Sequence, residues 1–187
     1  MHVNPRGFVD ALTLLLSDPA LRQRFESDRS AVVNELGVSN EDAELLRRLD
    51  SQKLRQQAQG LLHKRQSEVA RLIPLTWKQL SDDAEGLFRN YAETTPWPRG
   101  HQRHLHDASG FSGFLQTRKP DRTVKSECNW IEFWAGKGRF VIKFVPDLPV
   151  DGNERCGIQF LYRNRQGHAK QSVIPLPAVV FRRSGQI

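Results

Sequence analysis

Cysteine is nearly absent from this 187-residue chain: Cys128 and Cys156 lie far apart, and no CxxC pair occurs. That excludes a disulfide framework and the thiolate clusters of structural zinc sites, so two free thiols are expected. Long apolar runs are missing too. Leu12 to Leu16 is interrupted by Thr13 and soon closed by Asp18-Pro19, well short of the ~18 apolar residues that a membrane span requires. The start, Met1-His2-Val3-Asn4-Pro5, lacks the basic residues and apolar stretch of a signal peptide. A cytoplasmic protein without a membrane partner is expected.

Signatures of catalysis are equally sparse. There is no GxSxG elbow and no phosphate-cradling glycine loop. Gly136-x-Gly138 reads as a turn, and nothing near Cys128 predicts a lowered thiol pKa. Asp82-Asp83 sits where carboxylates stabilise a helix N-terminus. The segment "HQRHLHD" holds His101, His104, His106 and Asp107, a donor set that suits transition metals. Its spacing matches no helical ligand motif, and the plainer reading is a boundary loop whose Asp107 caps the next helix. The expectation is therefore no catalytic residue, no metal site and no cofactor in this chain. A metalloenzyme built on the histidine segment is the most distant alternative.

What the chain does carry is charge with a strong asymmetry. Residues 1–95 hold 13 Lys+Arg and 14 Asp+Glu, a net of −1, whereas residues 96–187 hold 15 and 7, a net of +8. Hydrophobic residues at 38% and charged residues at 26% are enough for a folded core. An anionic partner is thus expected to meet the second half.

Periodicity divides the chain at a similar place. Phe8, Leu12, Leu15 and Leu16 form a helical stripe, and Asp18-Pro19 supplies an N-cap followed by proline at the first helical position. Gly37 suits the C′ position of the helix before it, and Ser39 with Asp42 resembles a capping box. Leu54, Ala58, Leu61, Leu62, Val69, Leu72 and Ile73 predict a long amphipathic helix that Pro74 must kink or end. A last helix spans Asp82 to Ala92. "TTPWPRG", Thr94 to Gly100, breaks the pattern, and a short helix after Asp107 uses Phe111, Phe114 and Leu115.

From Asn129 the spacing suggests a period of two. "NWIEFWAGKGRFVIKFVP" reads as a hairpin, with strands before and after Ala135-Gly136-Lys137-Gly138. Further strands are expected at Gly157–Arg163, at Val173-Ile174 and at Val179–Phe181, with a turn at Asn164–Gly167. The fold class is α+β: an N-terminal all-helical bundle (1–95), a linker with a short helix (96–125) and a small antiparallel sheet (126–187). One sheet face is expected on a core and one in solvent.

Aromatic and basic residues together make that sheet the candidate binding element. Trp130, Trp134, Arg139, Lys143, Arg163 and Arg165 are the candidate peptide-binding residues. A free strand edge would pair with an extended segment, and a basic sheet favours an acidic one. The same residues also suit nucleic acid, through phosphate neutralisation and base stacking, and Trp130 and Trp134 equally suit core packing.

The helical half also resembles a known family. "LLSDPALRQRFESDRSAVVNELGVSNEDAELLRRLD", then "LLHKRQSEVARLIPLTWKQL", "LFRNYAE" and "HLHDASGF" look like bacterial helical domains designated as DNA-binding and encoded beside iron enzymes. The likeness covers approximately residues 8–115. Joined to a small C-terminal sheet, this arrangement is similar to the TglI-like partner subunits of TIM-barrel, multinuclear non-haem iron enzymes that modify ribosomally made peptides. The resemblance implies a non-catalytic accessory subunit in a heterodimer. It would hold the leader of a carrier peptide and present the terminal cysteine to the partner, in 3-thiaglutamate-type natural product biosynthesis. Iron would reside in the partner. Lys64, Arg65, Trp77, His104, His106 and Asp107 become candidate partner-interface residues, against solvated charge for Lys64 and Arg65 and core packing for Trp77. A DNA-binding transcriptional regulator is the alternative function.

Overall fold

The fold is that of a computed structural model, described over residues 7–98, 100–150 and 153–177; for 147, 149, 150, 153 and 154 only the backbone is described. The chain forms two compact units, one from residues 1–68 with 85–98, the other from residues 69–84 with 99–187. Within the described residues the order is nine helices followed by three strands, an α+β fold. The unit boundaries differ from the simple sequential split, because residues 69–84 belong with the later elements.

The first unit opens with four short helices: α1 (Phe8–Ser17), α2 (Pro19–Ser27), α3 (Arg29–Leu36) and α4 (Asn40–Arg47). Each of the last three is started by a side chain next to it. Asp18 accepts from the Leu21 N–H at 2.9 Å, with Pro19 at the first helical position. Asp28 accepts from Ala31 at 2.9 Å, and Ser39 from Asp42 at 3.2 Å. Gly37 ends α3 in the left-handed region, φ 63°, where a Cβ would be strained. These helices bury Leu15, Phe25, Val32, Val33, Leu36 and Leu46 together with Leu54. Each large side chain there contributes ~1.5–3 kcal/mol.

The long α5 (Ser51–Leu72) begins at Asp50, which accepts from Gln52 and Lys53. It ends as expected before Pro74, which becomes the first residue of α6 (Pro74–Leu80). After α7 (Asp83–Thr94) come α8 (Arg103–Arg118), a 3-10 turn over Pro120–Arg122, and α9 (Lys125–Ala135). The expected linker over 96–125 thus holds a helix of 16 residues.

The largest departure concerns the hairpin. Asn129 to Trp134 is not a strand; it lies inside α9. Read at helical spacing, Val124, Cys128 and Ile131 make a buried stripe, while Trp130 and Trp134 sit one turn apart with ring centres 5.6 Å from each other. Short aromatic runs satisfy both periods, and here packing of that stripe decides for the helix. Ala135–Gly138 is therefore a helix-to-strand connection.

The sheet contains β1 (Phe140–Val150), β2 (Asn153–Arg163) and β3 (Ala169–Pro175), all antiparallel, in the order β1-β2-β3. Gly167 (φ 82°) serves the expected turn between the last two. Register shifts between Val145 and Leu148. A Cβ on Gly157 would meet a Leu148 methyl at 2.9 Å and the Ile174 carbonyl at 3.1 Å, so a larger residue there would push Leu148 aside and press on β3. The strand expected at Val179–Phe181 lies outside the described residues.

A sheet edge and a groove as the candidate functional site

Alternation along three strands gives the sheet two unlike faces. Gln159 and Leu161 of β2 with Val145 of β1 are buried on one side, the side that α9 covers. Asn129 Nδ2 donates to Gln159 Oε1 (3.2 Å), and Gln159 Nε2 donates to the Ser126 carbonyl (2.9 Å) and to Gln171 Oε1 (3.0 Å). This satisfies the buried amide and ties helix to central strand.

The opposite face carries the larger apolar side chains, yet it lies in solvent. Phe140, Ile142 and Phe144 of β1 are 58%, 54% and 60% exposed, and Tyr162 and Ile174 are 40% and 53% exposed. The register aligns them in rows: Phe140 with Tyr162 and Lys170, Ile142 with Phe160 and Ser172, Phe144 with Ile158 and Ile174.

The edges of the sheet are β1 and β3, and among the described residues neither outer edge makes a backbone hydrogen bond to another element. Beside β3 lies a groove of about 410 Å³, lined by Gln171, Val173, Trp130, Glu127, Leu75 and Leu148 among others. Its floor is set by a long-range cap. Glu127 of α9 accepts from the Leu75 and Thr76 N–H groups, 2.7 Å each, at the start of α6. There the carboxylate meets unpaired donors and the positive end of the helix dipole. Thr76 Oγ1 in turn accepts from the Val124 N–H at 3.1 Å.

The candidate peptide residues fall in different places. Trp130 lines the groove, and Trp134 stands one turn along α9. Arg139, Lys143 and Arg165 are exposed. Arg163 is occupied elsewhere. Its Nη2 donates to the carbonyls of Phe133 (3.1 Å), Trp134 (3.1 Å) and Gly136 (2.7 Å), Nε to Gly138 (3.1 Å) and Nη1 to Gly167 (3.2 Å). The guanidinium also lies 5.3 Å from the Phe133 ring centre. A cation at a helix C-terminus with five carbonyl partners is a clamp on α9, so Arg163 is not available as a ligand contact.

Among the candidate interface residues, Lys64 is exposed but Arg65 is buried, correcting the solvated-charge reading for it. Its guanidinium lies 5.7 Å from the Phe88 ring centre and 5.3 Å from that of Tyr91, and it donates to the Thr95 carbonyl at 3.1 Å. Trp77 packs against Phe111, ring centres 5.9 Å apart. His104 and His106 lie on α8, and Asp107 is fully buried inside that helix rather than capping it. Among the described residues no group of three or more His, Cys, Asp or Glu side chains could hold a metal ion. No described helix is long and apolar enough to cross a membrane. Cys128 and Cys156 are free thiols; burial pushes the Cys128 thiol up, with Gln116 and Ser112 opposing it more weakly.

A second cavity, about 480 Å³, lies within the first unit, between α5, α7 and the α1–α2 corner. Two of its cations are already engaged, Arg65 as above and Arg22 by the Leu15 and Leu16 carbonyls, while His63, Glu85, Arg89 and Glu93 also line it.

The sequence readings missed Glu127, Gln159, Gln171 and Val173, whose roles come from contacts across the chain. The exposed Phe140-Ile142-Phe144 row had a local signal: β1 is apolar on both faces. Residues 42–117, from within α4 to within α8, match the family of SCO6045-like C-terminal domains, a family of uncharacterised proteins. No curated protein and no solved structure matches the chain.

Proposed function

We propose that this chain is a non-catalytic accessory subunit that holds an extended, acidic peptide along the outer edge of β3. The observation carrying the reading is the coincidence of an edge with no described pairing partner and a groove lined by Gln171, Val173 and Trp130. Backbone pairing with β3 supplies affinity, and alternate side chains enter the groove beside Trp130. Arg165, exposed in the turn that leads into β3, favours a negatively charged segment there, whereas Arg139 and Lys143 stand exposed at the β1 side of the sheet.

The chemistry belongs to a second polypeptide. In the reading that the helical words and the appended sheet suggest, that partner is a TIM-barrel, multinuclear non-haem iron enzyme, and the peptide is the leader of a ribosomally made carrier. The accessory chain then raises the effective concentration of the peptide's reactive cysteine end at the iron, as in 3-thiaglutamate-type biosynthesis.

The test combines two measurements. A synthetic acidic peptide ending in cysteine is titrated against the chain by tryptophan fluorescence, with Trp130→Ala and Val173→Lys as variants. Each substitution is expected to weaken binding at least tenfold while leaving the far-ultraviolet spectrum unchanged. Co-expression with a TIM-barrel, multinuclear non-haem iron enzyme of the class proposed should give a complex on gel filtration with iron retained by the barrel. A chain that ignores the peptide, stays monomeric and shifts duplex DNA with a steep inverse salt dependence would be a regulator instead.

A further inference from the structure

The outer face of the sheet has no place in peptide capture at the β3 edge, and its composition calls for a cover. Taking roughly 200 Å² for a fully exposed aromatic side chain, the five exposed residues leave on the order of 500 Å² of apolar surface in water. A standard interface buries about 800 Å² on each partner. Phe140, Ile142, Phe144, Tyr162 and Ile174 therefore have the size of an interface centre, with a rim still to be added.

The rim is basic at one end. The acids of the sheet region, Asp147, Asp151 and Glu154, all fall at the β1–β2 end, and no Asp or Glu occurs between Gly136 and Pro146 or between Arg155 and Pro177, so the opposite end is basic. Arg139, Arg165 and Lys170 gather at the end of the sheet where Phe140 pairs with Tyr162, and all three are exposed. A single-stranded nucleic acid would use the aromatics, but only the first row sets two of them side by side; in the other two rows a single phenylalanine stands among Ile142, Ile158, Ile174 and Ser172, which offer no stacking surface. A second copy would bring a further basic end, not the acidic surface that Arg139, Arg165 and Lys170 call for. The remaining chemistry is a folded protein that is apolar at its centre and acidic beside it.

We propose that this face is the docking surface for such a protein. Resting on the function proposed above, that protein is the catalytic barrel subunit, which leaves the β3 edge and its groove open for the peptide. The helical residues Lys64, Trp77, His104 and His106 then lie outside the principal contact. Apolar centre and basic end have separate roles: the first sets the lifetime of the complex, the second its rate of formation and salt dependence.

The experiment pairs the tagged chain with a TIM-barrel iron enzyme of the class proposed above. Phe140→Ser with Phe144→Ser should cut the co-purified barrel at least tenfold. The affinity of the isolated chain for the acidic peptide should stay within twofold. Arg139→Glu with Lys170→Glu should slow association at least threefold at low salt, and the difference should shrink at high salt. If the serine variant loses its folded spectrum, a photo-crosslinking side chain at Phe144 replaces it; crosslinks to barrel peptides support the proposal, and their absence in an intact complex overturns it. Retention of the barrel by the folded serine variant overturns the docking surface and leaves the peptide reading standing. A wild-type pair that never co-purifies overturns both. Self-association of the pure chain that the serine substitutions abolish, or oligonucleotide binding that they abolish, assigns the face to another occupant and also overturns the proposal.

Discussion

Helix ends in the two units are secured by different means. In residues 7–68 the cap is a neighbour: Asp18 reaches Leu21, Asp28 reaches Ala31, Ser39 reaches Asp42 and Asp50 reaches Gln52, each within three positions. In the unit that carries the sheet, Glu127 caps α6 from 51 and 52 positions away, and Arg163 caps α9 from 29 and 30 positions away. A local cap stabilises one helix and little else. A distant cap makes helix formation and tertiary docking one event, so the sheet, α9 and the groove should stand or fall together.

The strongest way to break this comparison is Arg163→Ala. It strips five carbonyls of their donor and is expected to cost about 2–4 kcal/mol, since hydrogen bonds to charged groups are worth more than neutral ones. Urea unfolding followed by tryptophan fluorescence gives the number. Arg163→Lys should recover less than half, because an ammonium cannot span the same fan of acceptors. A loss below about 0.5 kcal/mol would mean the clamp is ornamental, placing it among ordinary surface changes.

Next in size is Glu127→Ala, expected to cost about 1–3 kcal/mol by leaving two N–H groups without their carboxylate. Hydrogen exchange should speed up at Leu75 and Thr76 and also along α9, where coupling predicts a shared response. Exchange confined to α6 would show that the distant cap behaves like a local one. Asp18→Ala and Asp28→Ala are smaller, about 1 kcal/mol each, the ordinary value for an N-cap. Their effects should add, and protection in the sheet should not change.

How much of this was legible follows the same divide. Asp18-Pro19, Gly37, Ser39 and Pro74 act where their sequence context placed them, because the groups they serve are adjacent in the chain. The α+β division was readable from the change of period. The segment Asn129–Trp134 was not, because Trp130, Ile131, Phe133 and Trp134 fit a strand as readily as a helix until Cys128 and Ile131 are seen to share a core. The candidate site was legible only in part. Trp130 reached the groove, but Arg163 carried a signal of positive charge that could not disclose five carbonyl partners from distant turns. Arg65 shows the same limit, a charged residue buried against Phe88 and Tyr91 of α7.

The smallest expected effect sharpens the local side of the comparison by pH. The Lys53 and Gln52 N–H groups hold the Asp50 carboxyl below its usual value, with burial opposing them weakly. A carboxyl whose folded pKa is depressed stabilises the fold above its unfolded pKa, about 3.9, and loses that contribution as pH falls through the folded value. The melting temperature of Asp50→Ala should therefore lie below that of the wild type at pH 7, with the gap narrowing from about pH 4 downward. Glu127 shows no comparable isolation: its two acceptor bonds join α6 to α9, so its removal should loosen both helices at once. Urea unfolding of Asp50→Ala and Glu127→Ala at pH 7, read by circular dichroism and by tryptophan fluorescence, separates the two kinds of cap. The local one should move the helical signal alone, and the distant one both signals together. An Asp50→Ala gap that stays constant down to pH 2 would show that the carboxylate's charge has no part in starting α5.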